Sequence, residues 1–188
     1  MTVFFERARP LRMKDMRISV PAINKNNKVA VFDIQTLLFT AGTGECRVTG
    51  QVDISIEEMV QTALSHLRYN SAQYGLSPGI FRKHDLHVHF TEGSYRKEGS
   101  SAGLGAAVVI MCEILKFKSK KVSILASGEI DLYGGLLEIG GMREKLRYFT
   151  ASRQFDYFIA PAANLRRSSG RIIGFENLFQ VHDWLRAL

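Results

Sequence analysis

Along this chain the hydrophobic period switches repeatedly between two residues and 3.6, and that alternation restricts the fold to a mixed α/β or α+β domain. Residues 85–90 alternate cleanly: Leu86, Val88 and Phe90 share one strand face, and Asp85, His87 and His89 share the other. Met16–Val20 and Val29–Ile34 read as strands around the turn Asn24-Lys25-Asn26-Asn27. Residues 37–40 and 46–52 read as two further strands separated by Gly42-Thr43-Gly44. Ser55 and Glu58 have capping-box spacing, and Ile56, Met59, Val60, Ala63, Leu64 and Leu67 follow as one helical stripe that stops before Gly75 to Gly79. Further on, the pattern predicts a helix over 101–115 and a buried strand over 122–126. A hairpin of 130–133 and 136–139 is expected around Gly134-Gly135. The remaining expectations are a helix over 142–152, a strand over 157–160 ending at Pro161, and a last helix over 177–185.

A chain of 188 residues is one domain by default and buries roughly 70% of its unfolded surface, so it needs no disulfide or metal to fold. The two cysteines, Cys46 and Cys112, form no disulfide framework and fit a reducing compartment, cytoplasmic or an organellar matrix such as the mitochondrial one. No apolar run spans a bilayer, and the N-terminus has no secretory pattern, so no membrane is expected as a partner. The net charge of +7 is concentrated. Arg7, Arg9, Arg12, Lys14, Arg17, Lys25 and Lys28 face only Glu6 and Asp15, and Arg166, Arg167 and Arg171 form a second cluster. Nucleic acid is one reading of that charge. The sequence favours a solvated arm and loop, because no recognition motif or stacking pattern accompanies it. There is no phosphate-binding G-x-x-x-x-G-K-[ST] loop and no dinucleotide fingerprint, so the chain itself shows no ATP site.

The candidate chemistry lies in Ser101 and Lys145. Ser101 opens an Ala/Gly-rich helix after Lys97-Glu98-Gly99-Ser100, where free backbone N–H groups and the helix dipole favour an oxyanion. A plain N-cap serine has the same pattern, and spacing leaves open whether Ser100 or Ser101 is the cap. Lys145 falls in one arc with Met142, Leu146 and Phe149, whereas Arg143, Glu144 and Arg147 fall outside it. A buried lysine there is a base for the serine; a lysine at the edge of the stripe snorkels into water. The distinction matters, because an ordinary lysine of pKa ~10.4 is neutral only about once in 2,500 molecules at pH 7, and burial lowers that pKa by ~3–5 units. His87 and His89 have no third metal ligand nearby in sequence, so a hydrogen-bonding or solvent-facing pair is expected and no metal site. His66 and His182 are placed on helix surfaces, and Trp184 in packing.

Asp85-Leu86-His87-Val88-His89-Phe90, Glu92-Gly93 and Lys97-Glu98-Gly99-Ser100-Ser101-Ala102-Gly103 resemble the proteolytic domain of Lon proteases. Ser127-Gly128-Glu129-Ile130 and Ile139-Gly140-Gly141-Met142-Arg143-Glu144-Lys145 resemble it in the same order, and the similarity runs from about Val29 to the C-terminus, including Pro161 and Asn164. The resemblance implies an α+β fold of mixed sheets with flanking helices, like a ribosomal-protein domain. It divides the chain into a basic lead-in with the first strand region (1–28) and a proteolytic domain (29–188).

It further implies a serine endopeptidase with Ser101 as nucleophile and Lys145 as base, with Ser127 and Glu98 in supporting positions. The family's proline before the serine is Ser100 here, its loop aspartate is Glu98, and its first basic residue before the catalytic lysine is Arg143. The resemblance also implies unfolded protein or peptide substrates, a homo-oligomeric, hexameric ring, and an AAA+ ATPase module as partner. ATP and Mg would enter only through such a module, and no cofactor is expected in this chain. The alternative is a Lon-like module that assembles or docks partners without cleaving.

Overall fold

The computed structural model describes residues 16–24, 26–77, 79–92, 96–117 and 121–188. The lead-in residues Arg7, Arg9, Arg12 and Lys14, and also Lys25, Pro78 and Gly93, lie outside the described residues. Strands β1 (Met16–Ile23) and β2 (Val29–Phe39) form an antiparallel pair, Ile18 opposite Ile34. Their turn closes because the Asn24 side chain accepts from the backbone N–H groups of Asn26 (3.0 Å) and Lys28 (2.9 Å). β2 continues through Leu37 and Phe39, which the sequence reading assigned to a separate strand. The ladder to β4 (Asp85–Phe90) carries it on, with Leu37 opposite His87.

β3 (Cys46–Thr49) is shorter than the expected 46–52. Gly50 (φ +116°) and Gln51 (φ +54°) turn the chain away, and a Cβ at Gly50 would meet the Phe90 carbonyl oxygen at 2.0 Å. Helix α1 (Ile54–Tyr69) is capped by Asp53 rather than Ser55: its carboxylate accepts from the Ile56 N–H (3.2 Å) and from the Ser55 hydroxyl (2.7 Å). A carboxylate at that end also complements the helix dipole.

A single turn, α2 (Ile80–Lys83), precedes β4, and a 3₁₀ turn (Ser100–Ala102) leads into α3 (Gly103–Leu115). β5 (Val122–Ala126) follows, then the short hairpin of β6 (Glu129–Ile130) and β7 (Leu136–Leu137). The expected hairpin is present, but its loop spans 131–135 rather than two glycines, because Asp131 accepts from the N–H groups of Tyr133 and Gly135 (both 2.8 Å). α4 (Met142–Ser152), β8 (Tyr157–Pro161), β9 (Ile172–Phe175) and α5 (Leu178–Ala187) complete the chain, β9 being unforeseen.

The seven-stranded sheet has the order β3-β4-β2-β1-β5-β8-β9. β1, β5, β8 and β9 run parallel; β2 is antiparallel to both β1 and β4. This mixed sheet with flanking helices is the α+β architecture expected. β1 lies in the middle of the sheet and joins its two halves.

One face packs against α1, α3 and α5 through Ile18, Ile34, Val88, Phe90, Ile124, Ala126 and Ile159. The other carries Leu125, Phe158 and Ala160, which pack with Phe149 of α4. α3 is buried from Gly103 through Cys112 and forms the centre of the first layer. Its Gly105 admits β1 and β2 closely: a Cβ there would lie 2.4 Å from Val20 Cγ1 and 3.1 Å from Ile34 Cδ1. Gly105→Val is therefore expected to cost about 1–3 kcal/mol by overpacking, read as a lowered Tm or urea midpoint.

His66 and His182 are buried, at 0% and 5% exposure, and not on the surface as the helical pattern predicted. The β6–β7 hairpin covers His66: a Cβ at Gly134 would strike its ring at 2.3 Å, and His66 Nε2 pairs with the Tyr74 hydroxyl at 2.8 Å. His182 packs edge-on to Tyr74 and beside Phe117. Burial pushes the His66 pKa down, because the imidazolium loses its water there. Trp184 packs against Tyr157 and Phe175, as expected. No helix among the described residues is long and apolar enough to cross a membrane.

Candidate active site

Three side chains converge beyond the end of β5. Lys145 Nζ lies 3.3 Å from Ser101 Oγ and 3.1 Å from Ser127 Oγ. Each comes from a different element for a local reason. The chain leaves β5 at Ser127, whose N–H donates to the Ile159 carbonyl (3.0 Å) and extends the ladder by one residue. Ser101 lies in the 3₁₀ turn, stitched to the same spot. The Gly128 N–H donates to the Ser101 carbonyl (2.9 Å) and the Leu104 N–H to the Gly128 carbonyl (2.9 Å). Lys145 reaches in from the first turn of α4, on the opposite face of the sheet.

Gly141 sets the start of α4. It has φ +67°, and a Cβ there would lie 2.0 Å from Ile23 Cδ1 and 4.0 Å from Lys145 Cε. Asn164 fixes the approach to that helix: it accepts from the Ile139 N–H and donates to the Ile139 carbonyl, both at 3.0 Å. The sequence reading gave Asn164 no role. The signals for it are its place just after the strand-ending Pro161 and its part in the Lon resemblance.

Lys145 is only 3% exposed, and Ser127 is fully buried. The lysine is thus the enclosed one of the two arrangements the helical stripe left open. Desolvation lowers its pKa from 10.5 to about 8, so roughly a tenth is neutral at pH 7, against about one in 2,500 for an ordinary lysine. As an ammonium, Nζ donates to both hydroxyl oxygens. As an amine it keeps an N–H for Ser127 and turns its lone pair to the Ser101 O–H, which is the geometry of a general base. A separation of 3.3 Å is within the range that catalytic hydrogen bonds often show in the absence of substrate.

Glu98 is exposed, and its carboxylate makes no hydrogen bond to Ser101 or Lys145. Its neighbour Lys97 is buried at 3% exposure. Lys97 Nζ donates to the carbonyls of Gly50 and Glu92 (both 2.7 Å) and lies 4.9 Å from the centre of the Phe32 ring. Burial lowers the Lys97 pKa. Together with Gly99 N–H to Ser55 Oγ (3.0 Å), these bonds hold the loop before Ser101 against the start of α1. Nothing in the alternation of this segment marked Lys97 as buried.

His87 and His89 share the Thr49 hydroxyl, His87 Nε2 and His89 Nδ1 each lying 2.8 Å from it. They are a hydrogen-bonded pair on the sheet face away from α3. Among the described residues no cluster of His, Cys, Asp and Glu has metal-binding geometry.

A family model of the Lon protease (S16) C-terminal proteolytic domain matches residues 29–168. The chain is 38% identical over 104 residues to the Lon protease of Clostridium acetobutylicum, covering 55% of this chain and 13% of that one. It is 36% identical over 146 residues to the Lon protease of Nitratidesulfovibrio vulgaris, covering 75% of this chain and 17% of that one. With the Lon protease of Aquifex aeolicus it shares 36% identity over 124 residues, 65% of this chain and 15% of that one. The chain thus spans 13–17% of the length of these relatives. The mixed sheet with flanking helices, matched over residues 29–168, is in class that of a proteolytic domain. The chain belongs to the Lon protease family, and what it carries is that family's proteolytic domain.

Proposed function

We propose that this protein is a serine endopeptidase that hydrolyses peptide bonds of unfolded polypeptides through Ser101 and Lys145. The observation that carries the reading is a buried amine held between two hydroxyls, with its pKa lowered to about 8. Lys145 Nζ takes the proton of Ser101 as Oγ attacks the scissile carbonyl. Backbone N–H groups of the 3₁₀ turn at Ser100–Ala102, near the helix start, hold the oxyanion. The ammonium returns its proton to the leaving amine, and water, deprotonated by the same amine, releases the acyl group. Ser127 orients the amine throughout.

An open groove of about 590 Å³ along α1, lined in part by Ile54, Met59 and Leu132, offers apolar contacts for an extended chain. Met59 brings that groove next to the nucleophile, since a Cβ at Gly103 would touch Met59 Sδ at 3.3 Å. The hexameric ring and the AAA+ ATPase module belong to the same proposal, with ATP and Mg entering only through that module. So does a reducing, cytoplasmic setting.

Unstructured casein is the first test. Cleavage is expected, with kcat/KM rising with pH through about 8 and flat above it, because only the neutral amine accepts the proton. A rate that falls over that range removes Lys145 as the base, and no cleavage at any enzyme concentration leaves the non-cleaving docking module.

A further inference from the structure

The Ser100 hydroxyl donates to the carboxylate of Glu129, and both residues are half-buried. Ser100 immediately precedes the nucleophile, and Glu129 comes two residues after Ser127. The bond therefore ties the two segments that hold the reacting groups, next to the backbone bonds joining Ser101 to Gly128 and Gly128 to Leu104. Those backbone bonds hold the turn on its far side. On the near side the chain enters from Gly99, whose φ of +105° and ψ of +137° require a glycine and whose N–H is held by Ser55 Oγ. Among the described residues, the Ser100 side chain alone braces the turn there against the segment that follows β5.

Resting on the peptidase reading, we infer that Ser100 and Glu129 are positioning residues: their hydrogen bond fixes the pitch of the 3₁₀ turn and so keeps Ser101 Oγ within reach of Lys145. A displacement of about 1 Å at such a centre costs on the order of 10²-fold in rate, so a brace that removes a fraction of that freedom is worth roughly tenfold. The role is mechanical. It requires an acceptor at 129, whether charged or not, and it becomes redundant once the backbone is stiffened by other means. Proline at 100 supplies that stiffness. It would occupy the first position of the turn, where a missing N–H costs nothing, and the ψ of Gly99 suits a residue before proline.

The test is a kinetic cycle on casein or a quenched unfolded peptide, with kcat and KM measured separately. Ser100→Ala and Glu129→Ala should each lower kcat about tenfold with KM within about twofold, and the double variant should lose no more than either single one. Glu129→Gln, which keeps the acceptor, should retain most of the rate. In a Ser100→Pro background, Glu129→Ala should have no effect. A loss of the same size there, a normal kcat in Ser100→Ala, or a loss confined to KM overturns the inference while cleavage by the wild type keeps the peptidase reading. A wild-type protein that cleaves nothing overturns the peptidase reading, and the inference with it.

Discussion

Ser101→Ala is expected to abolish casein cleavage, by at least roughly 10⁴-fold, while leaving the fold as stable as before. The size follows from the role: without Oγ there is no acyl intermediate, and the residual rate is whatever water achieves beside the same amine. The stability is unchanged because Ser101 is only half-buried and its hydroxyl bonds Lys145, which keeps Ser127 as a partner. Time courses on gels, together with a thermal melt, separate the two. Unaltered cleavage in this variant would remove Ser101 from the chemistry. A collapsed melt would make the loss of activity a folding defect.

Lys145→Met has two large effects of opposite benefit. Activity should vanish, since no other described side chain donates to or accepts from Ser101 Oγ. Stability should move the other way, and its pH dependence carries the sign. In the folded protein the amine titrates near 8, in the unfolded chain near 10.5. Between those values the unfolded chain binds more protons, so the native protein gains stability as pH rises through the window and is penalised below it. The penalty at pH 7 is about 3 kcal/mol.

Methionine carries no such penalty, but it orphans the fully buried Ser127 hydroxyl, at about 1–3 kcal/mol. The Lys145→Met, Ser127→Ala pair removes that complication. Relative to a Ser127→Ala parent, the advantage of methionine should shrink by roughly 2–3 kcal/mol between pH 7 and pH 10, measured by urea unfolding at each pH. A constant difference would mean that Lys145 is an ordinary hydrated lysine, and the case for it as a base would go with it.

The parts legible in the sequence are those with a strong local period. The alternation of Leu86, Val88 and Phe90 gave β4 at its full length, and the stripe of Met142, Lys145, Leu146 and Phe149 gave α4 at its full length. The same stripe put Lys145 on the correct side of its helix. Its enclosure is a different matter, because β1 and the end of β5 build it, more than a hundred residues and about eighteen residues away in sequence respectively. No window along the chain contains that information.

His66 and His182 fail for the same reason. Each lies on an amphipathic helix, but His66 is roofed by Gly134 and Leu132, and His182 by Phe117 and Tyr74, all distant in sequence or on other elements. β9 escaped because Ile172-Ile173-Gly174-Phe175 is short and interrupted by a glycine, and its pairing to β8 is what makes it a strand. The Ser55 cap lost to Asp53 because a carboxylate two residues earlier takes both the Ile56 amide and the serine's own hydroxyl.

The two halves of the dyad arrive from opposite sides of one sheet, Ser101 from the layer of α3 and Lys145 from the layer of α4. Neither layer contains a working centre by itself. A copy with one layer undocked would separate the proposed nucleophile from its proposed base. In the proposed mechanism, cleavage therefore depends on both layers being closed on the sheet.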